Sequence, residues 1–425
     1  MKILSIILFV LVVQLGLAQS INFDDFYEKG SLRVDFLFYG NSTDKSVSIH
    51  RMKRDEHFGG GTSSQLIYPQ YGNYNVLVKD AKTGKTIFSK GFSPIFDEWQ
   101  ATDEAKKVTK AFENSVQMPF PKAEIIFEIQ DRGADGKFKT IFSQNINPTD
   151  YNILKEPAKQ YAVSEIYKNG KPSQMVDIAI IAEGYTKEEM AKFRADARRL
   201  SEYMFSIPPF SEFKNKFNIY AIESPSEESG TDVPGENIYK NTILDSRFYT
   251  FGVERYLTTT SSFKLADIAA NVPYDQIYVL VNTDRYGGGG FYNVINLVSA
   301  DDKLSDKVFV HEFGHGFVGL ADEYYTSEVA TDSYYNLKLE PWEQNITTMV
   351  NFDAKWKDLV KKKTPIPTPR TPKYEKEVGV FEGGGYSAKG IYSPVQDCRM
   401  KSNTPDGFCP VCSRTIADVI EFYTR

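Results

Sequence analysis

The spacing of apolar residues changes once along this 425-residue chain, and the change limits what it can fold into. From Ile21 to about Asn147 apolar and polar residues alternate in short runs, as in Leu32-Arg33-Val34-Asp35-Phe36-Leu37-Phe38-Tyr39 and Ser46-Val47-Ser48-Ile49. Side chains on a strand point alternately to its two faces, so this pattern predicts strands with one side in a core. Residues 74–78 and 86–88 flank a turn at Lys82-Thr83-Gly84, and residues 125–129 and 138–142 flank Gly133-Ala134-Asp135-Gly136, so both pairs read as hairpins. An all-β sandwich over residues 19–147 is expected. Its His50 and His57 sit among charged residues and read as surface or turn histidines.

After a polar connection over residues 148–172, the run 176–182 is apolar almost throughout, the signature of a strand covered on both faces. Thr186 then caps a helix with Glu189 three residues on and Met190, Phe193, Ala197 and Leu200 at helical spacing. Further apolar runs at 277–281 and 294–298 bracket Gly287-Gly288-Gly289-Gly290, and another helix is expected from about Ser305. Strands alternating with helices make residues 173–425 an α/β domain. The glycine run either lets backbone approach a substrate closely or forms an exposed hairpin turn. Residues 357–395 are rich in Pro and Gly and read as a long loop, either bordering a functional cleft or plainly disordered.

Compartment is read from the first residues. Met1-Lys2 precedes an apolar run over 3–17 and a small-x-small site at Gly16-Leu17-Ala18, so residues 1–18 are expected to be a signal peptide cut after Ala18. The run is short of the roughly 20 residues that a spanning helix needs; an uncleaved anchor is the alternative. A secreted, periplasmic or cell-surface protein follows, without a membrane span. A formal charge of -6 and a pI near 5.5 exclude a strongly basic surface and leave a nucleic-acid partner without electrostatic support. A monomer is the simplest assembly. Cys398, Cys409 and Cys412 are the only cysteines, so at most one bridge is possible, from Cys398 to Cys409 or Cys412. A zinc knuckle on them lacks a nearby fourth ligand, since no His lies downstream of His315.

The chemistry is concentrated in Val310-His311-Glu312-Phe313-Gly314-His315-Gly316-Phe317-Val318-Gly319-Leu320-Ala321-Asp322-Glu323-Tyr324. Residues four apart share one face of a helix, so His311 and His315 can present two imidazoles to one metal ion. Glu312 is placed beside them to take a proton from a metal-bound water. Catalytic zinc has three protein ligands. A continuing helix would carry Asp322 roughly 16 Å along the axis from His311 at 1.5 Å per residue. Gly319 can take the left-handed conformation that ends a helix and turns the chain back, bringing Asp322, or alternatively Glu323, to the metal. Tyr324, Tyr386 and Tyr392 are candidate oxyanion donors by position.

His311 to His315 followed by Gly319 and Asp322 resembles a metzincin zinc peptidase, with the glycine one residue later than the usual pattern and Asp in place of the third His. That resemblance implies a methionine turn beneath the metal, a role that Met400 in Cys398-Arg399-Met400-Lys401 fits. More narrowly, His311-Glu312-Phe313-Gly314-His315 with residues 319–324 is similar to the family named for bacterial immunoglobulin A peptidase. Glu183-Gly184-Tyr185-Thr186, Ser224-Pro225-Ser226-Glu227-Glu228-Ser229-Gly230 and Phe408-Cys409-Pro410-Val411-Cys412 are similar to it as well. The β region resembles the N-terminal module of some members. The resemblance implies a two-domain chain, an all-β sandwich followed by a metzincin-like α/β zinc-peptidase domain. Its activity would be an endopeptidase on protein or peptide substrates, with Zn2+ as cofactor and Glu312 as general base. A non-catalytic adhesin or glycan binder, or an amidase acting on cell-wall peptides, are the competing expectations.

Overall fold

The computed structural model describes residues 21–62, 66–325 and 334–425; the expected signal peptide lies outside them. A short helix α1 (Phe23–Phe26) leads into β1 (Tyr27–Gly40), β2 (Lys45–Asp55), β3 (Tyr74–Asp80), β4 (Thr86–Phe92), helix α2 (Ile95–Gln100), β5 (Lys110–Pro121), β6 (Ile125–Arg132), β7 (Phe138–Ile146) and β8 (Ile153–Leu154). These strands form two four-stranded sheets, ordered β5-β1-β2-β8 and β4-β3-β6-β7. The alternation read in β1 puts Phe36 and Phe38 inside, where Phe38 meets Tyr74 at 4.6 Å and Phe36 meets Phe92 at 6.4 Å between ring centroids, joining the two sheets. Phe96 of α2 stacks on Phe38 at 5.3 Å, which fastens that helix to the end of the sandwich.

The second region contains β9 (Ala162–Tyr167), β10 (Val176–Glu183), α3 (Met190–Met204), β11 (Phe217–Glu223), α4 (Ser262–Ala269), β12 (Gln276–Val281), β13 (Gly288–Phe291), β14 (Ile295–Ser299), α5 (Ser305–Phe313), the hairpin β15 (Phe381–Gly384) and β16 (Ser387–Ser393), and α6 (Pro410–Tyr423). Six strands form one sheet in the order β13-β14-β12-β10-β11-β9, with β13 and β9 antiparallel at the edges and parallel pairing between them. Strand β10 is buried over its whole length because both faces are covered. Ile178 and Ile180 pack in the cluster that contains Phe193 of α3, Phe309 of α5 and Ile416 of α6. Ala179 and Ile181 pack with Leu265 and Ile268 of α4 on the other side.

Three sequence expectations are corrected here. The polar connection over residues 148–172 contains two short strands: β8 adds to the first sheet beside β2, and β9 closes one edge of the second against β11. Their exposed residues hid them, since an edge strand shows little apolar alternation. Residues 357–395 are not loop throughout, because β15 and β16 form a hairpin there. Of the two readings of the glycine run, the exposed turn is the one overturned, since Gly288–Phe291 is the edge strand β13.

The two regions are joined by charge. Asp267 of α4 receives Arg33, Arg51 (3.0 Å) and Lys53 (2.8 Å) from β1 and β2. Arg33 is fully buried, and Asp35, Asp55 and Asp267 supply the negative charge around it. Burial raises the Asp267 pKa, but Lys53 and Arg33 outweigh it and hold the group down to about 2. Asp267→Asn is therefore expected to lower stability near neutral pH by about 1–2 kcal/mol, discounted for its partial exposure. The carboxylate's contribution is present in full above its unfolded pKa of about 3.9 and is lost as pH falls through the folded value. Urea-unfolding midpoints should differ between the two proteins near neutral pH and converge in acid; equal midpoints at both ends would refute the assignment.

Candidate metal centre

Helix α5 carries His311 and Glu312, and the chain then widens into a π-helical turn over Gly314–Val318 that holds His315. Gly319 ends it at φ 74°, ψ 34°, the left-handed conformation that costs a side chain but not a glycine. The chain reverses there. Leu320 N–H returns to the Gly314 carbonyl at 3.0 Å, and Asp322 arrives opposite the two histidines.

His311 Nε2 and His315 Nε2 stand 3.1 Å apart, and Asp322 Oδ1 lies 3.2 Å from the first and 3.3 Å from the second. Ligands about 2.0–2.1 Å from a tetrahedral zinc ion are separated by roughly 3.3 Å from one another. The protonation pattern is equally specific. His311 Nδ1 is 2.9 Å from the Arg399 carbonyl and His315 Nδ1 is 2.6 Å from the Leu320 carbonyl. Carbonyl oxygens only accept, so each Nδ1 carries the proton and each Nε2 presents a lone pair. Asp322 Oδ1 is a buried acceptor with no hydrogen-bond donor of its own. Three acceptors thus face one another, an arrangement that a shared cation relieves. Burial opposes a positive charge on His315, but the Asp322 carboxylate outweighs it and pushes the imidazole up to about 9. The three side chains could hold one divalent ion, and the donor set of two imidazoles and a carboxylate suits zinc.

The surroundings orient these groups. Tyr386, at the turn of the β15–β16 hairpin, donates its hydroxyl to Asp322 Oδ2 at 2.7 Å. Met400 is fully buried although its sequence neighbours are polar, and a methyl group added to Gly314 would come within 2.7 Å of its sulfur, so Met400 packs directly beneath the turn that bears His315. Glu312 is buried beside the imidazoles, its pKa raised by desolvation against the opposing pull of His311 and His315. Glu323 turns away from the histidines; its carboxylate lies among Cys398, Cys409 and Cys412.

A cavity of about 350 Å³ opens in front of the histidines. Tyr324 and Tyr386 line it, whereas Tyr392 does not and instead pairs its backbone with Thr347. Glu98 and Arg255 are among the lining residues that the sequence reading missed. Glu98 comes from α2 of the sandwich region, accepts from the Tyr256 hydroxyl, and is pushed up to about 7 by burial. Arg255 comes from the loop before α4; its guanidinium lies 5.6 Å from the Tyr324 ring centroid, within electrostatic reach of Asp322 and Glu312. Neither sits in a local motif, so only the fold brings them here.

Strand β13 forms the wall beside Glu312. A Cβ at Gly288 would fall 2.6 Å from Glu312 Oε1, and one at Gly290 would fall 2.6 Å from the Glu312 carbonyl oxygen. The Glu312 carboxylate can swing aside whereas helix backbone cannot. Gly288→Ala is therefore expected to fold but to lose about two orders of magnitude in turnover, because the Glu312 carboxylate is displaced. Gly290→Ala is expected to lose stability. Turnover kinetics with thermal unfolding separate the two outcomes, and unchanged turnover in Gly288→Ala would contradict the placement.

Comparison with known proteins agrees with the two-part architecture. The family profile described as IgA Peptidase M64 matches residues 164–377 and 370–420, which takes in the six-stranded sheet, the histidine helix and the cysteine segment. The profile described as Peptidase M64 N-terminus matches residues 22–143, the region of the paired sheets. A search of curated proteins returns no match. The chain belongs to the IgA peptidase M64 family and is a peptidase, with that family's N-terminal domain preceding its α/β region.

Proposed function

We propose that this peptidase is an exported, zinc-dependent endopeptidase in which His311, His315 and Asp322 hold the ion and Glu312 is the general base. The observation that carries the reading is the convergence of three lone-pair donors at 3.1–3.3 Å with a buried carboxylate beside them, at the floor of a cavity able to take a peptide segment. When bound, the ion acidifies water and polarises the scissile carbonyl. Glu312 accepts the proton of the attacking water and delivers it to the departing amine, a transfer that its desolvated, raised pKa suits. Arg255 contributes positive charge across the cleft as the carbonyl oxygen gains charge. Tyr386 is committed to Asp322, which makes it a positioning group for that carboxylate. Export rests on the signal-like residues 1–18, and among the described residues no helix is long and apolar enough to cross a membrane.

Glu312→Gln keeps the side-chain shape and removes the base. Metal content is expected to stay at the wild-type level while kcat for a protein substrate falls by roughly two to four orders of magnitude. Retained turnover with bound metal would sink the assignment of Glu312; loss of metal in the same variant would make Glu312 a ligand instead.

A further inference from the structure

Behind the histidine site lies a second group of ligand-type side chains that the peptidase reading does not use. Glu323, Cys398, Cys409 and Cys412 are all buried, and one potential ligand atom from each falls within 4.8 Å of every other. The carboxylate comes from the segment after the Gly319 reversal, one thiol from the Met400 turn, and two from the start of α6, spaced Cys-x-x-Cys. No His follows His315 in the sequence to serve as a fourth partner, and the fold supplies one from 75 residues upstream of Cys398, as Glu323.

We propose that Glu323, Cys398, Cys409 and Cys412 form a structural site for a tetrahedral, thiolate-preferring divalent cation, Zn2+, distinct from the histidine site. The spacing matches. Zinc–sulfur bonds of about 2.3 Å in a tetrahedron separate two sulfurs by roughly 3.8 Å, and a sulfur from a carboxylate oxygen by roughly 3.5 Å. Cys398 Sγ and Cys412 Sγ are 3.8 Å apart, and Cys412 Sγ is 3.2 Å from Glu323 Oε1. All three cysteines are free, and 3.8 Å is far beyond the roughly 2.05 Å of a bonded pair.

Backbone amides point at two of the sulfurs. Cys398 Sγ accepts the Cys409 backbone N–H at 3.2 Å, and Cys409 Sγ accepts the Cys412 N–H at 3.5 Å, the amide support that thiolates on a metal receive. Glu323 has no solvent exposure, and its Oε2 has no hydrogen-bond partner, while Oε1 accepts from Asn345 at 3.0 Å. A carboxylate so enclosed needs a counter-charge. Arg370 and Lys401 lie within electrostatic reach of Glu323 and offset part of the charge that three thiolates and a carboxylate leave on a divalent ion.

The location gives such an ion a job. Glu323 directly follows Asp322, and its N–H donates to the Met400 carbonyl at 2.7 Å; Cys398 directly precedes Arg399, whose carbonyl holds His311 Nδ1. An ion here ties the reversed segment, the Met400 turn and α6 into one block behind the pocket, so it acts on the histidine site by position.

The test uses the full chain purified without chelator. About one equivalent of zinc is expected to remain in His311→Ala/His315→Ala, a result that stands whether or not the histidines hold a second ion in the wild type. Replacing zinc with Co2+ should give an intense thiolate-to-cobalt charge-transfer band, which nitrogen and oxygen ligands do not produce, and the band should be lost in Cys412→Ser. Should that variant fail to fold, the wild-type band and the alkylated mass decide: denaturation with chelator and no reductant should label all three cysteines. A cobalt-loaded wild type without the band overturns the proposal. So does a mass deficit of one disulfide, and so do three labelled thiols with no ion left in the histidine variant, since Glu323 would then be held as a neutral acid.

Discussion

Lone pairs forced to face one another are held in place by the carbonyls behind them. His311 and His315 cannot rotate their Nε2 atoms away without surrendering the hydrogen bonds that Arg399 and Leu320 accept from their Nδ1 protons. Asp322 cannot retreat without leaving Tyr386 and undoing the reversal at Gly319. Each constraint comes from a different stretch of chain, so the local repulsion is offset by packing elsewhere: Met400 under Gly314, the hairpin against the reversed segment, and α6 against the widened turn. A site built this way is preorganised to gain a cation.

The sandwich region takes part in that organisation. Its buried Arg33 is neutralised in part by Asp267 of α4, and its helix α2 carries Glu98 to the wall of the cavity. Asn73, between Thr62 and β3, accepts from Trp342 Nε1 at 2.8 Å, and Trp342 in turn packs where a Cβ on Gly319 would stand. The cleft is therefore a product of both regions, and the glycine that reverses the chain is pinned from the N-terminal side. This gives a physical reason for the N-terminal domain to accompany the peptidase region in one chain.

Much of the local plan was legible in the residues. Period-two alternation placed β1, β2 and the two hairpins, a doubly covered apolar run placed β10, and Thr186 with Glu189 marked the start of the helix that becomes α3. The four-residue step of the histidines and the glycine after them were readable because helix pitch and left-handed backbone are local properties. The short edge strand β9, the hairpin β15–β16 and the edge strand β13 were not, since their sequences are polar or glycine-rich and gain their conformation from the partner strand.

What the sequence determined alone was one helical face bearing two imidazoles and a carboxylate, a break at Gly319, and two regions of different periodicity, all set by interactions within a few residues. Only the tertiary structure decided which of two adjacent carboxylates faces the histidines, because neighbouring side chains in an extended segment point opposite ways and the choice depends on what lies on each side. Asp322 found the imidazoles and Glu323 found three thiols from the far end of the chain. No spacing rule reaches that far, since contacts between distant segments are set by how sheets and helices pack together.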